Sequence, residues 1–259
     1  MSLEKNPSIS VIVPAFNEEA IIGRCIVELA DTIRRSGYSA EIIIVDDGST
    51  DRTLSKARSF QGELPILRVL SFSRNYGKAT ALKEGMRAAR GSTVAFFDAD
   101  LQYDPADLVK MVSMLKRGND IVTGRRDFGQ YGRTRTAFST IYNRMLRLIF
   151  RIEVADSNCG IKVLKRNLAD PEFLFRYGTP LMMPLLKLSR RRMAEKRVSL
   201  RQRKVGNSKF FDSNSFLGGW RHIKALYLQS GMLLGLLANL PSEMVKARQL
   251  TWVEEGLGT

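Results

Sequence analysis

Residues 92–118 read STVAFFDADLQYDPADLVKMVSMLKRG. The first part, 92–100, is a short apolar run rich in aromatic and β-branched residues, and it predicts a buried strand. Pro105 suits the first turn of a helix over 105–118. Strand followed at once by helix is half of a strand–helix–strand unit, and the pattern repeats outward. ISVIVPAF (9–16) predicts a strand stopped by Pro14. EEAIIGRCIVELADTIRRSG (18–37) sets Ile21, Ile22, Cys25, Ile26, Leu29 and Ile33 on one helical face, with Gly37 as the stop. EIIIVDD (41–47), ILRVLSF (66–72) and DIVTG (120–124) predict further strands. Between them, 49–60 predicts a helix capped by Ser49 or Thr50, and 75–91 predicts another. Such alternation predicts an α/β fold: a Rossmann-like, mostly parallel sheet flanked by helices. Ligands of such sheets bind beyond the carboxyl ends of the strands. Three of those ends are polar: PAFNEE, DDGSTD and DADLQ.

The 259 residues are 44% hydrophobic, enough for a substantial core. Cys25 and Cys159 lie far apart and match no paired metal or redox spacing, which fits a reducing compartment. MSLEKNPS has no apolar h-region, so no secretory signal is expected. The net charge of +15 is unevenly spread. Residues 1–124 hold 16 basic and 16 acidic side chains; residues 125–259 hold 25 and 10. The second half should therefore meet something anionic. The neutral first half argues against a nucleic-acid-binding protein.

Beyond residue 124 the regular alternation stops. Residues 137–154 predict a basic amphipathic helix: Phe138, Ile141, Tyr142, Met145, Leu146, Ile149 and Phe150 against Arg144, Arg147 and Arg151. An ordinary surface helix packed on the core is the alternative reading. Residues 187–209 hold ten basic side chains and one acidic one, Glu195. Residues 225–242 are uncharged but too polar for a clear membrane span, and a packed or interfacial helix is expected there. His222, the only histidine, has no partner motif.

In extended backbone, alternate side chains share a side, so Asp98, Asp100 and Gln102 would face one way if the strand continued past Asp98. They offer only oxygen donors, which suit Mg²⁺ or Mn²⁺ bridging to phosphates. A polar strand end with helix-capping aspartates is the plainer alternative.

VPAFNEE, IIIVDDGSTDRT, SFSRNYGKATALKEG and FFDADLQYDP, in this order and spacing, resemble the GT-A catalytic domain of glycosyltransferase family 2 over residues 8–170. DSNCGIKVLKR (156–166) and RQRKVGNSKF (201–210) resemble segments of polyprenyl-phosphate glycosyltransferases, including dolichyl-phosphate mannose and glucose synthases. Ile161 stands where that pattern has Phe. The resemblance implies that Pro14, Phe16, Asn17 and Glu18 line a nucleotide pocket. It puts Asp46 and Asp47 on base and ribose, and Gly77 and Lys78 near the base. Asp98, Asp100 and Gln102 would hold the metal and the sugar diphosphate. Arg125, with Arg133 or Arg135, would meet phosphates. Arg203, Ser208 and Lys209 would close over the site or grip the acceptor phosphate.

Relatives that glycosylate a sugar hydroxyl carry a further acidic residue as general base, because a hydroxyl needs one at neutral pH. The comparable region here, 176–192, has no Asp or Glu, although Glu172 or Asp156 remain as candidates. A phosphate monoester is already largely dianionic at pH 7 and needs positive charge instead of a base. The expected partners are thus a nucleotide-sugar donor of GDP-mannose or UDP-glucose type, a polyprenyl or dolichyl phosphate and an anionic membrane surface, with no nucleic acid. The alternative acceptor is a saccharide hydroxyl. The expected organisation is a catalytic domain over 1–165 and a basic acceptor-side segment over 166–212. Residues 213–259 are expected to form amphipathic membrane-associating helices or a homo-oligomer contact. The expected location is the cytoplasmic membrane face, peripheral or shallowly inserted.

Overall fold

The computed structural model describes residues 7–127, 133–168 and 170–201, together with 231, 233–240, 242–244 and 246; the side chains of 133–135 and 138 are outside that description. Its strands are β1 (Ile9–Ala15), β2 (Ala40–Asp46), β3 (Leu67–Ser71), β4 (Thr93–Phe96), β5 (Ile121–Arg125), β6 (Lys162–Lys165) and β7 (Met193–Arg197). Its helices are α1 (Ile22–Ser36), α2 (Thr53–Ser59), α3 (Lys78–Ala88), α4 (Pro105–Lys116), α5 (Arg133–Phe150), α6 (Pro171–Phe175) and α7 (Met182–Leu188). The strands form one seven-stranded sheet in the order β3-β2-β1-β4-β6-β5-β7. Only β6 runs against its neighbours; the other pairings are parallel.

Every residue of β2 is buried. Ile42 and Ile44 face one core cluster, and Ile43 and Val45 face the other. Burying such a side chain contributes about 1.5–3 kcal/mol each, so a strand apolar on both faces needs cover on both. α1, α2 and α4 cover the first face; α3, α5, α6 and α7 cover the second. Gly37 ends α1 in the left-handed region at φ 70°, where a residue with a Cβ is strained. Asp104 caps α4 by accepting from the Ala106 N–H at 2.9 Å, and Pro105 follows at the first turn. At α2 neither Ser49 nor Thr50 is the cap: Arg52 holds that position without a side-chain bond, and Asp51 before it accepts from the Thr53 N–H at 2.9 Å.

The regular alternation expected to stop at residue 124 continues in altered form. β6 and β7 complete the sheet from stretches that carry little strand signal. β6 is four residues long, and β7 (MAEKR) is an edge strand bearing charges, as edges commonly do. The helix expected at 137–154 runs from 133 to 150, and Arg151 ends it at φ 51°. Its apolar side divides. Tyr142, Leu146 and Phe150 enter the core, whereas Ile141 and Leu148 are 63% and 82% exposed. In the 225–242 stretch, Leu233 and Leu236 are buried against the second core cluster, as a packed helix requires.

The chain runs from β1 outward through β2 to β3, then crosses back to β4 on the other side of β1. The crevice at such a switch point lies outside the carboxyl ends of β1 and β4. Because β6 is antiparallel, its first residue, Lys162, sits beside Phe96 at the carboxyl end of β4.

Candidate functional site

The loops after β1 and β2 are laced together. Ser49 Oγ accepts from the Asn17 N–H at 2.9 Å, and Thr53 Oγ1 from the Glu18 N–H at 2.7 Å. Asn17 Oδ1 in turn accepts from the Thr50 N–H at 2.8 Å. Asn17 holds φ 52°, a conformation Asn tolerates better than most side chains. Pro14, Phe16, Asn17 and Glu18 are thus all half-buried along one rim. Gly48, at φ 68°, lies against the chain at Arg74; a Cβ there would sit 2.6 Å from Arg74 Cα. This contact brings the loop after β3 onto the loop after β2.

Asp46 and Asp47 do different work. Both oxygens of Asp47 are taken by the chain itself: Oδ1 accepts from the Tyr76 N–H at 2.8 Å and Oδ2 from the Gly77 N–H at 2.9 Å. Asp47 therefore anchors the start of α3. Asp46 is 1% exposed; its Oδ2 accepts from the Ser49 N–H at 3.2 Å, and its Oδ1 has no hydrogen-bond partner among the described residues. A buried oxygen without a partner is costly, so a ligand donor suits this position.

β4 ends at Phe96, and Ala99 and Asp100 form a turn. The continued strand geometry that the sequence reading allowed is therefore not formed; Leu101 sits at φ 53° instead. The alternation of burial nevertheless persists. Phe97, Ala99, Leu101 and Tyr103 enter the first core cluster, while Asp98, Asp100 and Gln102 between them stay half-buried. Asp100 Oδ1 accepts from the Gln102 N–H at 3.1 Å. Lys78, expected near the base, pairs with Asp98: Nζ to Oδ1 is 2.5 Å. Among the described residues there is no cluster of three or more His, Cys, Asp or Glu able to hold a metal. Two carboxylates and an amide, all oxygen donors, fit a hard divalent cation that takes its remaining ligands from water and phosphate.

Behind Asp98 lies the turn Asp156–Gly160. Asp156 is fully buried and forms a bidentate pair with Arg126, Oδ2 to Nε 2.7 Å and Oδ1 to Nη2 2.8 Å. Burial opposes the charge of Arg126, but the bonds to Asp156 raise its pKa well above the usual value. The Lys162 ammonium, also buried, donates to the Cys159 carbonyl, and burial lowers its pKa to about 8. Sequence reasoning assigned no role to Arg126 or Lys162. Lys162 lies within the quoted 156–166 motif, whereas Arg126 carries no such signal beside the more exposed Arg125.

The other expected cations are scattered. Arg125 is the last residue of β5 and pairs loosely with Glu195 at 3.6 Å. Arg133 and Arg135 belong to α5, but their side chains are outside the described residues, as are Arg203, Ser208, Lys209 and His222. Much of the basic charge of 187–201 is matched within the chain: Lys187 by Glu153, Lys196 by Asp107 at 2.8 Å and Arg201 by Glu28 at 2.5 Å and Asp104 at 3.0 Å. The two alternative bases are engaged too. Glu172 is exposed and pairs with Lys83 and Arg87. Those partners lie five and nine residues into α3 from Lys78, about 7.5 and 13.5 Å along the helix axis.

The family model described as Glycosyl transferase family 2 matches residues 10–173. The chain is 35% identical over 163 residues to a dodecaprenyl-phosphate galacturonate synthase of Rhizobium johnstonii, covering 62% of this chain and 48% of that protein. It is 28% identical over 212 residues to an undecaprenyl-phosphate 4-deoxy-4-formamido-L-arabinose transferase of Proteus mirabilis, covering 81% and 64%. The chain thus spans about half to two thirds of the length of these relatives. Glucosyl-3-phosphoglycerate synthase of Mycobacterium tuberculosis, crystallised with Mn²⁺, UDP and glucosyl-3-phosphoglycerate, shares the fold at TM-score 0.57 and 22% identity, over 78% of this chain and 73% of that one.

Proposed function

This chain belongs to glycosyl transferase family 2, and we propose that it transfers a sugar from a nucleoside diphosphate donor to a polyprenyl phosphate. The observation that carries this reading is the fate of the carboxylates. Residues 176–192 contain none, Asp156 is sealed against Arg126, and Glu172 is tied to the flank of α3. Among the described residues none of these candidates is left to serve a hydroxyl acceptor as a base, whereas a phosphate dianion needs none. Two relatives named for polyprenyl-phosphate acceptors support the same class.

In this reading the rim from Pro14 to Glu18 holds the nucleotide, and Asp46 Oδ1 receives one of its donors. Asp47 keeps Gly77 and Lys78 in place. Asp98, Asp100 and Gln102 orient the diphosphate. A bound Mg²⁺ or Mn²⁺ would supply charge stabilisation for the departing nucleoside diphosphate. Arg125, with Arg133 or Arg135, adds charge at phosphate oxygens. Arg203, Ser208 and Lys209 hold the acceptor phosphate, whose oxygen attacks the anomeric carbon from the face opposite the leaving group, inverting it. A UDP-linked sugar is the first donor to test, because the fold neighbour is crystallised with UDP.

The acceptor also fixes where the protein works. No helix among the described residues is long and apolar enough to cross a membrane. The outer side of α5 carries Ile141 and Leu148 among the exposed Arg144, Arg147 and Arg151, which suits an anionic lipid surface. We place this side against the cytoplasmic membrane face, with residues 213–259 as a second membrane or subunit contact. Incubation with Mn²⁺, a short polyprenyl phosphate and a panel of nucleotide sugars, read by mass spectrometry, tests the reading. A sugar-phosphoryl-lipid that disappears with EDTA and in Asp100→Ala is expected. Extension of a saccharide instead would overturn it.

A further inference from the structure

We propose that the buried turn Asp156–Gly160 is a backstop that sets the position of the Asp98 carboxylate. Gly160 is where the two meet. A Cβ on Gly160 would lie 2.7 Å from Asp98 Cγ and closer still to Oδ2, so the carboxylate rests directly on the glycine backbone. Lys78 holds its other oxygen at 2.5 Å. Asp98 is thus pressed between a lysine in front and a peptide behind.

Four separate elements fix the turn. Arg126, just past β5, clamps Asp156 through both side-chain oxygens, and its own N–H adds a bond to Oδ2 at 3.2 Å. Asn143 of α5, 2% exposed, accepts from the Ser157 N–H at 3.0 Å. Lys162 of β6 donates to the Cys159 carbonyl. Tyr103, on the same loop as Asp98, accepts from the Gly160 N–H at 3.1 Å, and its ring packs edge-on against Phe97. Satisfied polar networks in a low-dielectric interior rigidify what they hold. Here each bond ends within a five-residue turn whose last residue touches Asp98. Arg126, Asn143, Lys162 and Tyr103 are positioning residues for that carboxylate, in the way that outer partners orient metal ligands elsewhere.

The inference rests on the reading of Asp98 as a metal ligand, and the test separates the two. Mn²⁺ would be titrated by electron paramagnetic resonance in the presence of UDP, for the full chain and for Asp98→Asn, Gly160→Ala and Tyr103→Phe. UDP binding without metal is measured alongside. Asp98→Asn should weaken Mn²⁺ binding; if it does not, the metal-site reading fails and the backstop with it. Gly160→Ala should weaken Mn²⁺ by about 10–100-fold while metal-free UDP affinity stays the same. Wild-type Mn²⁺ affinity in Gly160→Ala, with Asp98→Asn impaired, would overturn the backstop alone. Tyr103→Phe keeps the ring and removes only the bond to Gly160, so it decides the matter should Gly160→Ala not fold. It should weaken Mn²⁺ by about tenfold in a protein that still folds cooperatively, its melting temperature lowered by a few degrees because the Gly160 N–H loses its acceptor, and an unchanged Mn²⁺ affinity would overturn the proposal.

Discussion

Asp46 and Asp47 are adjacent, acidic and both buried, yet their substitution should give opposite results. Asp47 uses both oxygens on the backbone N–H groups of Tyr76 and Gly77. In Asp47→Asn one of these N–H groups faces an amide donor. Losing one hydrogen bond to a charged group costs about 1.5–3 kcal/mol. In a chain of this size each kilocalorie lowers Tm by about 2–4 °C, so a fall of about 3–12 °C is expected. Asp46 has only one oxygen in use, on the Ser49 N–H, and an Asn carbonyl can keep that bond. Its other oxygen, buried and unpartnered among the described residues, becomes an amide. The free protein should be about as stable as before, because one buried polar atom without a partner replaces another. Nucleotide binding should suffer instead: a lost charge-assisted bond of about 1.5–3 kcal/mol is roughly a 10–150-fold rise in the Kd for UDP. Urea denaturation and calorimetric titration of UDP measure the two effects. If Asp46→Asn destabilises the protein as Asp47→Asn does and leaves UDP affinity unchanged, the division of labour is wrong.

Arg126→Ala leaves the fully buried Asp156 without its bidentate partner, so urea denaturation should show a loss of about 3–5 kcal/mol. Lys162 has a folded pKa near 8, below the unfolded value of 10.5. The unfolded state therefore binds the extra proton between these pH values, and the contribution of this group to stability rises from pH 8 to 10.5, by roughly 3 kcal/mol. That rise should vanish in Lys162→Met when denaturation curves at pH 7.5 and 10 are compared. Glu172→Gln should change turnover by less than about twofold, whereas removal of a general base would cost about 10²–10⁴-fold. Ile141→Asp with Leu148→Asp should abolish co-sedimentation with anionic vesicles and leave Tm unchanged, since both side chains point away from the core.

The first five strands and their helices were legible because each carries its own signal. β2 is an unbroken apolar run, α1 repeats its apolar residues at helical spacing, and Gly37 and Pro105 mark boundaries by backbone geometry. β6 and β7 were not legible. Four residues of KVLK show no period, and the MAEKR edge strand is specified by its pairing with β5 rather than by apolar residues. On α5 the pattern gave the helix but not its orientation. Ile141 and Tyr142 are neighbours in sequence, and only packing decides that Tyr142 is buried and Ile141 is not. At the candidate site, residue types revealed which strand ends bear polar groups. They could not divide Asp46 from Asp47, nor place Lys78 on Asp98, because hydrogen-bond partners come from distant segments. The basic run at 187–201 looked like available charge, but partners as remote as Glu28 and Asp107 neutralise much of it.

The claim that a lipid phosphate oxygen attacks the sugar is tested most directly by isotope. Polyprenyl phosphate labelled with ¹⁸O in its phosphate would be incubated with Mn²⁺, the protein and an unlabelled nucleotide sugar. The predicted product is a sugar–phosphate–lipid with one phosphorus that retains all the label, released together with an unlabelled nucleoside diphosphate. A product carrying two phosphorus atoms, or label-free extension of a saccharide hydroxyl, would contradict the account.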